Sequence, residues 1–110
     1  MRTRTILVAA VLTAATTAYA QQPEIKGDAQ RARERISLCI GCHGIPAYRT
    51  AYPEVYSVPM IAGQNPAYIV KALEAYKSGA RNHPSMHAVA RSLSDQDMAD
   101  VAMYYGTAAK

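Results

Sequence analysis

The sequence predicts a small all-α domain of three to four helices. Three stretches, 29–38, 66–78 and 94–106, place apolar residues at helical spacing next to helix start or stop signals. No stretch shows a convincing strand pattern, and 110 residues is a single-domain length. Phe and Trp are both absent, so the core is limited and a bound apolar group would add volume to it.

The first 20 residues differ in composition from the rest of the chain. Arg2 and Arg4 precede an apolar stretch over 6–15, and Ala18-Tyr19-Ala20 closes the segment. This order is typical of a secretory signal peptide. The apolar run is shorter than the roughly 18 to 20 residues that span a bilayer, which disfavours the alternative of an uncleaved anchor. We therefore predict a signal peptide over 1–20 and a mature, periplasmic domain over 21–110 with no membrane span.

The charge of the mature chain excludes one class of partner. Without the two arginines of the signal peptide, ten basic residues face eight acidic ones, which gives a net charge of +2. So small a charge, without aromatic residues interleaved in a basic stripe, does not indicate nucleic-acid binding. It is enough only to bias an encounter with an acidic partner.

The mature chain opens with a polar tether over 21–28 and a first helix over 29–38. Ala32, Ile36 and Ile40 lie at helical spacing, so this helix leads directly into the two cysteines of the chain.

A long segment over 44–65 follows, with three prolines and no sustained period. Tyr48, Tyr52 and Tyr56 recur every four residues, but Pro53 forbids a regular helix through them. We predict a loop that these tyrosines pack.

The second half of the chain has clear helix boundaries. Asn65 and Pro66 predict the start of a helix, and Ser78-Gly79 its end. Between this helix and the last one we predict a short helical turn over 86–90. The last helix opens at Ser94, with acidic residues in its first turn, and ends at Gly106.

One motif carries chemistry, and it is Cys39-Ile40-Gly41-Cys42-His43. Its spacing, CxxCH, is the attachment sequence for c-type haem. Two thiols one helical turn apart can add to the two vinyl groups on one side of the porphyrin, and His43 then places an imidazole nitrogen under the iron. A thiol redox pair, a disulfide and a zinc site with His83 and His87 are the alternatives. The first lacks a βαβ setting, and the second would close too short a loop to stabilise much.

Three stretches carry a resemblance to a known family. They are CIGCHG at 39–44, PMIAGQNPAYIVKALEAYKSGAR at 59–81 and MHAVARSLSDQDMADVAMYYG at 86–106. They resemble the class I c-type cytochromes, and above all the short bacterial type whose haem domains also occur in tandem in periplasmic dihaem carriers. The resemblance is weak over 45–58, where a tyrosine-rich insertion replaces the usual Asp-Gly turn. It implies an all-α fold around one covalent haem c and His/Met ligation of the iron.

The sixth iron ligand has to be chosen among several side chains. Met98 and Met103 lie in the last helix and are better explained as packing. Met86 lies in the connection between two helices, and the resemblance gives it the ligand's place. Met60, which follows Pro59, is the alternative. His83 and His87 are further candidates, although loop histidines usually face solvent. An iron with an open sixth site is the remaining alternative.

Other residues are candidates for contacts around the haem. By resemblance, the haem edge or its propionates lie near Gln64, Tyr68, Tyr76 and Arg81. The guanidinium of Arg81 suits a carboxylate. The backbone near Pro46 is a candidate acceptor for the second ring nitrogen of His43, which would fix its tautomer.

These residues predict an electron carrier and not an enzyme. An iron with protein ligands on both sides has no open position for substrate, so one-electron transfer between a redox donor and acceptor is the expected role. A haem subunit of a larger dehydrogenase or oxidase complex and an open-site ligand binder are the alternatives.

Overall fold

The computed structural model describes residues 24–52 and 55–108. Its elements are a 3₁₀ turn at Arg31–Glu34, helix α1 at Ser37–His43, strands β1 at Arg49–Thr50 and β2 at Tyr56–Ser57, and helices α2 at Pro66–Ser78, α3 at Pro84–Ser92 and α4 at Asp95–Thr107. The all-α prediction is confirmed. The proposed signal peptide over 1–20 lies outside the described residues. Within them, no helix is long and apolar enough to cross a membrane.

The first helix is divided differently from the prediction over 29–38. A 3₁₀ turn comes first, and α1 then continues through the whole CxxCH motif to His43. The Nε and Nη2 atoms of Arg31 both donate to the carboxylate of Asp100 in α4, at 2.9 Å each. This contact joins distant parts of the chain and is invisible in the local pattern.

The segment over 44–65 contains a small hairpin that the sequence did not predict. Strands β1 and β2 pair antiparallel, with Arg49 opposite Ser57 and Thr50 opposite Tyr56. The Val58 amide donates to the Tyr48 carbonyl at 2.9 Å and extends the pairing. Strands of two residues are too short to show alternation, so the prediction of a loop without strands is wrong here.

Helices α2 and α3 begin with proline at the first helical position. The Asn65 side chain accepts from the Ala67 and Tyr68 amides, and Gly79 ends α2 with φ at 83°, so the predicted bounds of α2 are confirmed. Helix α3 starts at Pro84, capped by His83, and is longer than the turn predicted over 86–90.

Helix α4 opens with the predicted cap and does not end at Gly106. Ser94 and Asp97 form a reciprocal capping box, and the helix continues to Thr107. A Cβ atom at Gly106 would collide with the ring of Pro66 at the start of α2. Gly106 is therefore a point of close helix contact rather than a stop signal.

The core lies where α4 meets α2 and the N-terminal segment. Its buried members include Ile69 and Leu73 of α2, and Met98, Val101 and Tyr105 of α4. Cys39 belongs to the same cluster. The CxxCH motif is thus anchored in the core on one side, which fixes the direction in which the rest of α1 points.

Candidate haem-binding site

A cavity of about 410 Å³ lies beside the C-terminal end of α1. Its wall contains Cys42 and His43 from α1, the strand and loop over 56–61, the inner face of α2 and the start of α3. A wider groove of about 750 Å³ runs beside α2 and α4, but no cysteine or histidine lines it. The smaller cavity therefore holds the residues with ligand chemistry.

Helix α1 presents the two cysteines to different surroundings. Cys39 is 8% exposed and packs in the core, whereas Cys42 is exposed and lines the cavity. Burial raises the pKa of the Cys39 thiol to about 11. A thiol with a raised pKa is a poor nucleophile, so Cys39 does not have the environment of an attacking redox cysteine.

The other two alternatives find no support in the described residues. Cys39 and Cys42 do not form a disulfide with each other in the structure. Over 24–52 and 55–108, no group of three His, Cys, Asp or Glu side chains is placed to hold a metal ion such as zinc.

His43 has one ring nitrogen fixed by a backbone contact. Its Nδ1 lies 2.6 Å from the carbonyl oxygen of Pro59. A carbonyl can only accept, so Nδ1 carries the proton and the neutral ring keeps its Nε2 lone pair for a metal. The predicted acceptor near Pro46 is wrong, because the chain returns past the end of α1 and brings Pro59 there instead.

Two methionines line the cavity, and they are Met86 and Met60. Met86 lies in the first turn of α3, not in an irregular connection as expected, and it packs against the core. Met60 is 50% exposed. Met98 is buried at 1% exposure, which confirms its packing role, whereas Met103 lies at the surface.

The two remaining histidines are not solvent-facing loop residues. His87 is half-buried in α3, and its Nδ1 lies 2.6 Å from the Tyr76 carbonyl, but it does not line the cavity. His83 does line it. Its Nδ1 accepts from the Met86 amide at 3.4 Å, and its ring lies 4.4 Å from that of Tyr56, centroid to centroid.

All four candidates for haem-edge contacts line this same cavity, and they are Gln64, Tyr68, Tyr76 and Arg81. The Arg81 guanidinium donates to the Tyr68 hydroxyl at 3.3 Å and lies 5.2 Å from the centre of the Tyr76 ring. The hydrogen bond to Tyr68 raises the pKa of Arg81 further. This cation is therefore held beside the cavity by two aromatic rings.

Sequence reasoning missed three contributors to this site. They are the Pro59 carbonyl, the Tyr56 ring and the capping nitrogen of His83. Of the three, only the cap role of His83 could have been predicted from the sequence, because His83 directly precedes the proline that begins α3. The other two depend on the path of the loop.

The donor set fits one cofactor. Two thiols one turn apart, an imidazole with a free Nε2 and a thioether beside an apolar cavity are the ligands that hold haem c. The fold and the site thus define a haem-binding electron-transfer domain of the c type.

Comparisons with known proteins agree with this class. The chain is 36% identical over 84 residues to cytochrome c-554(548) of Halomonas halodenitrificans, which covers 74% of the chain and 96% of that relative. It is 32% identical over 97 residues to the cytochrome subunit of sulfide dehydrogenase of Chlorobaculum tepidum, with 87% and 84% covered.

A third relative is a longer protein. Cytochrome c4 of Pseudomonas aeruginosa is 32% identical over 102 residues, which are 93% of the chain but 47% of that relative. The chain therefore spans about half the length of that cytochrome c4. No protein-family model matches the sequence. The chain belongs to the class I c-type cytochromes: its cofactor is covalently bound haem c, and it is an electron-transfer protein and not an enzyme.

Proposed function

We propose that Cys39 and Cys42 attach the haem, and that His43 and Met86 are its axial iron ligands. The observation that carries this proposal is the cavity that contains both His43 and Met86, with the His43 Nδ1 proton held on the Pro59 carbonyl. That hydrogen bond leaves Nε2 as the donor atom towards the cavity. Met86 is preferred to Met60 because it lies in the first turn of α3 and packs against the core, which restricts its side chain, whereas Met60 is 50% exposed.

When bound, haem c supplies a reversible one-electron couple at its iron. The protein's residues set its surroundings. Ile69 and Leu73 exclude water from the cavity wall, and Arg81 places a positive charge beside it that suits a propionate. A thioether ligand raises the reduction potential relative to two histidines.

The experiment is visible spectroscopy of the holoprotein, produced with a haem-attachment system. Haem is expected to remain with the denatured chain, and Met86→Ala to abolish the weak red sulfur-to-iron band of the oxidised native protein. Met60→Ala should keep the band, and Met98→Ala serves as a control for loss of a buried methionine. Survival of the band in Met86→Ala, or release of the haem on denaturation, would refute the assignment.

The proposed setting is the periplasm, with residues 21–110 as the working protein and redox proteins as donor and acceptor. The basic start and short apolar segment of the chain support export. Mass spectrometry of the protein from periplasmic extract tests this, because cleavage after Ala20 removes a defined mass. A chain that retains residues 1–20 in the membrane fraction would contradict it.

A second candidate function is that of a haem subunit in a larger dehydrogenase complex. The specific observation is the relative from Chlorobaculum tepidum, of which the chain covers 84%. Size-exclusion chromatography of native periplasmic extract, followed by haem absorbance, separates the two. Elution at the mass of one small domain supports a free carrier, and co-elution with a larger partner supports the subunit.

A further inference from the structure

We propose that Tyr56 and His83 are positioning residues that hold Met86 at the iron. Through them, the segment 56–59 links the two axial ligands. This inference rests on the proposed role of Met86 as sixth ligand. It also gives a role to the tyrosine-rich insertion, the part of the chain that departs from the family resemblance.

The first step is the cap of α3. Pro84 occupies the first helical position, and the amide of Met86 is one of the donors that a helix start leaves without an intrahelical partner. The Nδ1 atom of His83 accepts from that amide at 3.4 Å. The backbone of Met86 is thus tied directly to the ring of His83, three residues earlier.

The second step is the choice of histidine for this task. Serine, threonine, asparagine and aspartate are the preferred cap residues, and a histidine cap adds an aromatic face. That face packs on Tyr56, with ring centroids 4.4 Å apart and planes tilted by 48°. Because Tyr56 pairs with Thr50 in the hairpin, the hairpin determines where the His83 ring lies.

The third step is that the same short segment reaches the opposite ligand. Three residues beyond Tyr56, the carbonyl of Pro59 accepts from Nδ1 of His43 at 2.6 Å. Between them, Val58 donates to the Tyr48 carbonyl and fixes the strand. One extended stretch of four residues therefore orients His43 at one end and, through His83, Met86 at the other.

The test measures how firmly the sixth ligand is held in the oxidised holoprotein. Imidazole competes with a thioether for the iron, so its apparent dissociation constant reports the stability of the Met86 bond. Loss of a helix cap corresponds to roughly a five-fold change in an equilibrium, and loss of an aromatic pair to about two- to ten-fold. We expect His83→Ala and Tyr56→Leu to tighten imidazole binding by these factors and to lower the midpoint potential.

Three matched variants separate positioning from general destabilisation. His83→Asn restores the cap acceptor but not the ring, so it should recover only the effect of the cap and keep the roughly two- to ten-fold tightening from the lost aromatic pair. Tyr56→Phe keeps the ring and should bind imidazole as wild type does. Tyr52→Leu makes the same change as Tyr56→Leu at a hairpin tyrosine that is 88% exposed, and should leave imidazole binding and the potential unchanged. If His83→Ala or Tyr56→Leu fails to fold, His83→Asn still decides the matter, because it lacks the ring that packs on Tyr56 and should bind imidazole more tightly than Tyr56→Phe and Tyr52→Leu do.

The outcomes also separate this inference from the ligand assignment. If Met86→Ala abolishes the sulfur-to-iron band but His83→Ala and Tyr56→Leu bind imidazole as wild type does, the positioning role is refuted and the ligand stands. If Met86→Ala keeps the band, the proposed ligand itself is wrong. Equal tightening by Tyr52→Leu would show a general effect of the hairpin and would overturn the specific role of Tyr56.

Discussion

Replacement of Asp100 tests what joins the N-terminal segment to α4. The Asp100 side chain is 5% exposed and accepts from the Asp28 amide at 2.7 Å, from Gln96 at 2.8 Å and twice from Arg31 at 2.9 Å. Asp100→Ala removes all four bonds and leaves the Asp28 amide without its acceptor. A single hydrogen bond to a charged group contributes about 1.5 to 3 kcal/mol to stability. Because these four bonds share one carboxylate, their contributions do not add, and we expect a loss of about 2 to 4 kcal/mol in the free energy of unfolding.

The charge of Asp100 also predicts a pH dependence. Burial by itself raises the pKa of Asp100, but the hydrogen bonds from Arg31, the Asp28 amide and Gln96 outweigh it, so the net pKa is lowered. A carboxylate with a lowered pKa in the folded state contributes stability above its unfolded pKa of about 4, and that stability is lost as the pH falls through the folded pKa.

Urea unfolding of the holoprotein, followed by circular dichroism between pH 3 and 7, measures both effects. Asp100→Asn keeps the shape without the charge and should show a shallower loss of stability below pH 4 than wild type. Lys71→Ala removes only an exposed ion pair with Glu74 and is the control, with an expected change below about 1 kcal/mol. If Asp100→Ala unfolds at the same urea concentration as Lys71→Ala, the anchoring role of Asp100 is refuted.

Two further predictions concern α4. Gly106→Ala places a methyl group against Pro66, so we expect a loss of about 1 to 3 kcal/mol on thermal unfolding, and an unchanged melting temperature would contradict the close contact of α2 and α4. Tyr105→Phe should leave stability unchanged or raise it by up to about 1 kcal/mol in the same assay, because the Tyr105 hydroxyl is buried without a hydrogen-bond partner in the described residues. A loss above about 1 kcal/mol would show that this hydroxyl has a partner in the holoprotein.

The sequence predicted the helices whose ends are set by local chemistry. Asn65 and Pro66 at the start of α2, and Gly79 just after its end, act within one turn of the residues they affect, so the bounds of α2 could be read directly. The start of α4 at the Ser94 cap is of the same kind. Gly106 was misread because its role is contact with Pro66, 40 residues away in the chain, and not local backbone freedom.

Much of the site could also be predicted from the sequence. The sequence alone points to the CxxCH motif, both candidate methionines and the four haem-edge candidates. Most of these residues line one cavity in the structure. The side-chain and backbone partners of the two proposed axial ligands could not be predicted, because each depends on the path of residues 45–59. Three-residue and four-residue periods describe helices, and no such pattern reports where a loop carbonyl such as that of Pro59 will lie.

On the proposed ligation, the weakest part of the family resemblance performs a task that the motifs leave undone. A CxxCH motif fixes where a haem is attached, but the orientation of the imidazole and the hold on the thioether are set by their neighbours. In this chain both neighbours come from the hairpin segment: the Pro59 carbonyl beside His43, and the Tyr56 ring that packs on His83. Because the strength of the thioether bond helps to set the reduction potential, the proposed ligation predicts that substitutions in this hairpin change the potential while the motifs stay the same.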